Sequence, residues 1–249
     1  MFLAFPAQVG NKADAAVEQA LQSGRAFVAT KDCPRAIASF QAAIGASQSA
    51  ALPQERRASV QQEALKQIAD CQFNEKTFDQ AEATLLRRKQ VLREWGAPGE
   101  IELGHNALDL ASILIERQKW TEAERYAREA LATYDAAIGK QTRAGQRQQE
   151  DRVVPNEFSA NVSRSKVTGL YVLGLSLALQ RKPAEALKAW DEGYLLGVTF
   201  QAKHETLMQM VIQAIEVHDM LHLTAQRHLW VERLRELRHA EKAKGAKGN

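Results

Sequence analysis

Apolar residues return along this chain every three or four positions, in paired stretches separated by short polar breaks. The clearest pair runs from Gly104 to Gly139. Leu108, Ala111, Leu114 and Ile115 mark one face before the break ERQKW at 116–120, and Ala123, Ala127, Ala130, Leu131 and Tyr134 mark another after it. That spacing predicts two amphipathic helices, and so short a connection sets them antiparallel. Thr121 and Glu124 have the spacing of a capping box opening the second helix. Ala111, Ala123 and Ala130, at spacings of 12 and 7, fall where the two helices cross and only small side chains fit.

The same seam recurs three more times. Gly24, Ala36 and Ala43 repeat it within Val17 to Ala46, with Phe27 and Phe40 as large core residues and Pro34 in the first turn of the second helix, where a missing amide is harmless. A helix from Gln54 to Asn74 pairs with the stretch FDQAEATLLRRKQVL, placing Ala69 and Ala81 on the seam. Arg88 takes the third small position there and is expected to loosen that pair. Asp79 with Glu82 reads as a second capping box, and Trp95 to Gly99 as a stop signal. Val167 to Gly197 restores the register with Gly174, Ala186 and Gly193, and with Leu173 and Trp190 at bulky positions. Eleven of the twelve seam positions are Gly or Ala, which makes chance a poor explanation. Between these units, Ser47 to Pro53 reads as a loop. Lys140 to Asn161 is polar without periodicity, and is expected to be a flexible loop or an extended helix end. From Gln201 to Lys242 two further amphipathic helices abandon the small-residue register, as a terminal cap with a polar outer face would.

This pattern resembles the tetratricopeptide repeat, a helical hairpin with small residues at these spacings, a bulky residue such as Leu110 and an aromatic such as Trp120. The resemblance implies an all-α fold: a right-handed α-solenoid of antiparallel helix pairs with a C-terminal capping pair. Equivalent alanines are 45, 42 and 63 residues apart, longer than the usual period of about 34. A period near 42 looks like the kinesin-light-chain type, although the Asn usual there is replaced near Leu108 and Asp109. In the family, first helices line a concave groove. Carrying its groove positions over gives Arg25 and Val28, then Lys66, Asp70, Phe73 and Asn74, then His105, Leu108 and Ser112, then Tyr171 and Leu175. The Lys, Asn, Asn, Lys, Arg set that clamps a terminal carboxylate in some members is missing. The implied function is a non-catalytic scaffold or adaptor holding a protein or peptide segment, with Lys66, Phe73 and Tyr171 as its energetic centre.

Composition narrows this further. With 249 residues, 45% hydrophobic and only 6% aromatic, the chain suits a helical core. Its 33 basic and 30 acidic residues are interspersed, which argues against nucleic acid. No cofactor or metal motif occurs, and no apolar run is long enough to span a membrane. Cys33 and Cys71 lack metal-ligand spacing and read as small buried residues. His218 and His222 lie at i and i+4, with Asp219 between them. They carry the alternative of a small metal-dependent hydrolase, although the match to a metalloprotease motif is partial. Residues 1–12 read as an apolar N-terminal arm, 13–242 as one repeat domain and 243–249 as a basic tail. The arm lacks the basic start of a secretory signal, so a cytoplasmic location is expected, with export or a periplasmic location as the alternative.

Overall fold

In the computed structural model, residues 7–49, 52–95, 100–146 and 157–245 are described. They form ten helices: α1 (Ala7–Ala29), α2 (Cys33–Ser49), α3 (Gln54–Asn74), α4 (Phe78–Trp95), α5 (Glu100–Glu116), α6 (Trp120–Gln146), α7 (Glu157–Leu179), α8 (Pro183–Thr199), α9 (His204–Met220) and α10 (Thr224–Gly245). The chain divides into two compact units, Met1–Arg117 and Gln118–Asn249. The first holds the pairs α1/α2 and α3/α4 and then α5. The second holds α6, α7/α8 and α9/α10. Packing runs mainly between sequence neighbours, as it does in repeat proteins.

Some boundaries differ from the sequence expectation. Helix α1 starts at Ala7, inside the segment assigned to an N-terminal arm, and α10 runs into the basic tail as far as Gly245. The polar stretch 140–161 is helical at both ends, because α6 continues to Gln146 and α7 begins at Glu157. Its middle, 147–156, lies outside the described residues, as do the start of the arm and most of the stop signal after Trp95.

One local device ends every first helix. Lys31, Lys76, Gln118, Arg181 and His222 all have positive φ, between 55° and 61°. Each follows an inner helix by two residues, and each precedes the next helix by two. After α1, the Asp32 amide donates to Phe27 O at 2.9 Å and the Lys31 amide to Val28 O at 3.0 Å. The same pair of bonds closes α3, α7 and α9, through Thr77 to Gln72, Lys182 to Leu177 and Leu223 to His218. This is the Schellman closure, which satisfies carbonyls that the helix end leaves orphaned. Glycine usually fills such a position, and here five long polar side chains do.

The turn also shifts the helix starts. Because α4 begins at Phe78 and α6 at Trp120, Asp79 and Thr121 lie inside the first turn rather than at the cap. Neither predicted capping box forms. The Thr121 hydroxyl points to Gln180 Oε1, and Asp79 pairs with Arg117. A side-chain cap does occur at Asp32, which accepts from the Arg35 amide at 3.2 Å.

The seam residues are buried as expected. Ala36, Ala43, Ala81, Ala111, Ala123, Ala130 and Ala186 are all 0% exposed. The glycines are sterically required: a Cβ on Gly24 would lie 2.7 Å from the Phe40 ring, and one on Gly174 would lie 2.2 Å from Trp190 Nε1. Phe40 and Trp190 are fully buried, each contributing about 1.5–3 kcal/mol of apolar burial. In the first unit, Val17, Leu21, Phe40, Val60, Leu65 and Ile68 belong to one core cluster. Between α10 and α8, Trp230 packs edge-on to Tyr194 with ring centres 6.2 Å apart, and the Arg233 guanidinium of α10 stacks over both rings at 4.4 Å. The outer face of α10 is mostly polar, with Gln226, His228, Arg235, Glu236, Arg238 and His239 exposed. This is the terminal cap that the sequence calls for.

Candidate binding face

The charged side chains expected on inner helices gather, in the first unit, on one face made by α1, α3 and α5. Helical periodicity brings Glu63, Lys66 and Asp70 of α3 into line, and Glu102, His105, Asp109 and Ser112 of α5 beside them. Lys66 Nζ lies 2.5 and 2.7 Å from the two Asp70 oxygens and 3.6 Å from Asp109 Oδ2. Arg25 crosses from α1 to Glu63, with Nε 2.7 Å from Oε1. His105 Nδ1 is 3.5 Å from Glu102. Phe73 and Asn74 are exposed at the end of α3, and Phe73 meets Phe78 edge-on with ring centres 5.6 Å apart. Val28 is half-buried in the core of this unit. Leu108 is 9% exposed, so it belongs to the packing rather than to the open face.

Beneath this face lies a residue that sequence reasoning misjudged. Arg88 does not loosen its pair, for it is 3% exposed and ties three helices together. Its Nε donates to Gln62 O at 3.1 Å, Nη1 to Asn106 Oδ1 at 3.3 Å and Nη2 to Glu102 Oε2 at 2.6 Å. Asn106, itself fully buried, donates to Leu85 O at 3.1 Å. A guanidinium can occupy a small-residue position when each of its donors finds an oxygen. The hydrogen bond with His105, and then that with Arg88, hold the Glu102 carboxyl at about 2.

Asp109 is the odd member. Burial pushes its carboxyl above the usual range, against the opposing pull of Lys66. Its Oδ2 is buried and accepts no hydrogen bond among the described residues, the Lys66 ammonium standing 3.6 Å away. A buried acceptor without a donor costs about 1–3 kcal/mol, so this oxygen is a place where an incoming donor would be favoured.

Tyr171 and Leu175 stand in the second unit, on α7, and both are partly exposed. They lie opposite Leu170, Leu173 and Leu177 on that helix, which floor a cleft of about 330 Å³ between α6, α7 and α8. Lys166 bridges its rim, 2.9 Å from Asp135 and 3.3 Å from Glu192. Glu124 of α6 would be raised by burial alone, but donors from Lys182, Gln180 and Arg128 outweigh it and hold the group at about 2. Lys182 and Gln180 both reach it at 2.9 Å, which fastens α6 to the α7/α8 turn.

The histidine constellation does not form. Helix α9 ends at Met220, so His222 falls in the turn, exposed and with φ of 55°. His218 is 4% exposed, and its Nδ1 lies 2.7 Å from Ala214 O, beside the Trp230 ring. The i and i+4 spacing would share a face only if the helix continued. Among the described residues no group of three or more metal-ligating side chains comes together, and no helix is long and apolar enough to cross a membrane.

Antiparallel helix pairs, small-residue crossings and a polar terminal pair define the class: an all-α solenoid of tetratricopeptide-like repeats. Solved structures agree over nearly the whole chain. BtubC (BKLC) from P. vanneervenii matches with a TM-score of 0.67 at 15% identity, over 94% of this chain and 91% of that one. A putative kinesin light chain from Podosopora anserina with nearly identical TPR-like repeats matches at 0.60 with 9% identity, over 90% and 96%. The apo form of RapI also matches at 0.60, with 13% identity over 92% and 85%. No family model and no curated protein matches the sequence.

Proposed function

We propose that this chain is a non-catalytic scaffold or adaptor whose α1, α3 and α5 face holds a segment of a protein partner. One observation carries this reading: Asp109 sits half-buried, where burial works against its charged form, and its Oδ2 accepts no hydrogen bond among the described residues, with Lys66 Nζ 3.6 Å away. With Asp109 included, Glu63, Asp70, Glu102 and Asp109 outnumber Arg25, Lys66 and Arg88 by one, so a segment bearing a Lys or Arg side chain fits the charge balance. Phe73 and Asn74 extend the contact, with His105 and Ser112 beside Asp109. In the second unit, taken by itself, Tyr171 and Leu175 of α7 are the proposed contacts. Leu108 supports the face from below. Nucleic acid is not the expected partner, because acids lead on this surface.

The test is calorimetry with a partner recovered by affinity capture. Phe73→Ala and Asp109→Asn should each weaken binding by roughly 1–3 kcal/mol. Arg87→Glu, on the exposed side of α4, should leave it unchanged. If Arg87→Glu abolishes binding while the other two retain it, recognition belongs to the outer helices and the proposed face is wrong.

A further inference from the structure

Two thiols meet inside the first unit. Cys33 opens α2 and Cys71 lies on α3, and both belong to the same buried cluster, at 9% and 2% exposure. Both are free, and the Cys71 thiol lies within hydrogen-bonding reach of Cys33. Their helices pack against each other as the end of one repeat and the start of the next. Forming a disulfide between them requires side-chain rotation that brings the sulfurs to about 2 Å, with Cα atoms within about 7 Å.

We propose that Cys33 and Cys71 form a covalent modification site, a dithiol that a small-molecule disulfide converts to an intramolecular disulfide joining α2 to α3. Exposure sets the order of events. The Cys33 thiolate, at the rim of the cluster, attacks one sulfur of the small disulfide. That S–S bond breaks, and one small thiol leaves and takes up a proton. The Cys71 thiolate then attacks Cys33 Sγ, breaking the mixed disulfide and releasing the second small thiol. Two protein thiols are thereby oxidised by two electrons, one small disulfide is reduced to two thiols, and no further reactant is needed. Burial, and next the neighbouring Cys33, push the Cys71 thiol up to about 12. Its thiolate is therefore scarce at neutral pH, and the second step should limit the rate and accelerate in alkali.

The experiment uses the reduced full-length chain equilibrated with oxidised glutathione, then denatured, treated with iodoacetamide and weighed intact. The expected product is a monomer lighter than the reduced chain by two hydrogens. It takes up no iodoacetamide, melts at a higher temperature and reverts with dithiothreitol. Cys71→Ser should instead stop at a glutathione adduct on Cys33. A wild-type chain that keeps both thiols, or ends with a stable glutathione adduct, or links only to a second copy, would overturn the proposal. The wild-type result is decisive even if a serine variant folds poorly.

Discussion

Replacing Gly174 by alanine tests whether the helix crossing is as tight as described. The new Cβ would lie 2.2 Å from Trp190 Nε1 and 2.5 Å from its Cδ1, where carbon contacts settle at about 3.5–4.0 Å. The indole must retreat by more than about 1 Å, yet it is fully buried, and Nε1 donates to Tyr171 O at 3.1 Å. Overpacking of this kind costs about 1–3 kcal/mol, and an indole N–H stripped of its acceptor adds about 1–3 kcal/mol. Against this, alanine gains about 1 kcal/mol over glycine in a helix. The net expectation is a loss of about 1–5 kcal/mol. Gly45→Ala is the matched control, since nothing lies within 4 Å of its would-be Cβ. It should be stabilising, by up to about 1 kcal/mol. Urea unfolding followed by circular dichroism gives both midpoints. If Gly174→Ala is as stable as the parent, the crossing is looser than the geometry states and the seam argument fails with it.

Asp109→Asn should stabilise the folded chain at neutral pH while weakening partner binding. The carboxyl is raised on folding, so its charged form opposes folding above the unfolded-state value, and the gain from Asn should vanish in acid; equal stability of the two proteins at all pH values would count against this. Glu102 has the opposite sign. Its folded value of about 2 lies below the reference 4.5, so its contribution is present above about 4.5 and is lost as pH falls toward 2, and Glu102→Gln should flatten that part of an acid titration. Ala123→Leu, at a fully buried site, should cost about 1–3 kcal/mol, whereas Glu122→Gln on the exposed side should cost little in the same urea assay. Lys31→Gly should gain about 0.5–1 kcal/mol by relieving its left-handed backbone, and a loss would mean that its side chain matters more than its φ.

The crossings were legible in the sequence because they depend on residue size at fixed spacing, and size is written in the residue itself. Ala36, Ala111 and Ala186 could be placed without knowing any neighbour. The turns were not legible, because their left-handed residues are Lys, Gln, Arg and His, and no glycine announces them. That closure displaces the helix starts, so Thr121 and Asp79 fall one position inside their helices rather than at the cap. It also hid the end of α9, so His222 was aligned with His218 on a helix that had already stopped. Arg88 was misjudged for another reason. Its cost or benefit depends on Gln62 O, Asn106 and Glu102, 14 to 26 residues away, and no local pattern carries that. Of the predicted face, Lys66, Asp70 and His105 do come together in one unit, while Leu108 turned inward by a small change of helical phase.

The α9/α10 pair keeps the left-handed turn at His222 but holds Ile215, Arg227 and Leu234 where the other four pairs have Gly or Ala at every position but Arg88. Hairpin closure and helix crossing are therefore separable variables in this chain. A profile keyed to Gly and Ala counts four units and overlooks the fifth, whereas one keyed to the interval between a helix stop and the next helix start would find all five. For protein engineers the same separation offers a joint and a spacer that can be exchanged independently, with the stop of one hairpin grafted onto the crossing of another.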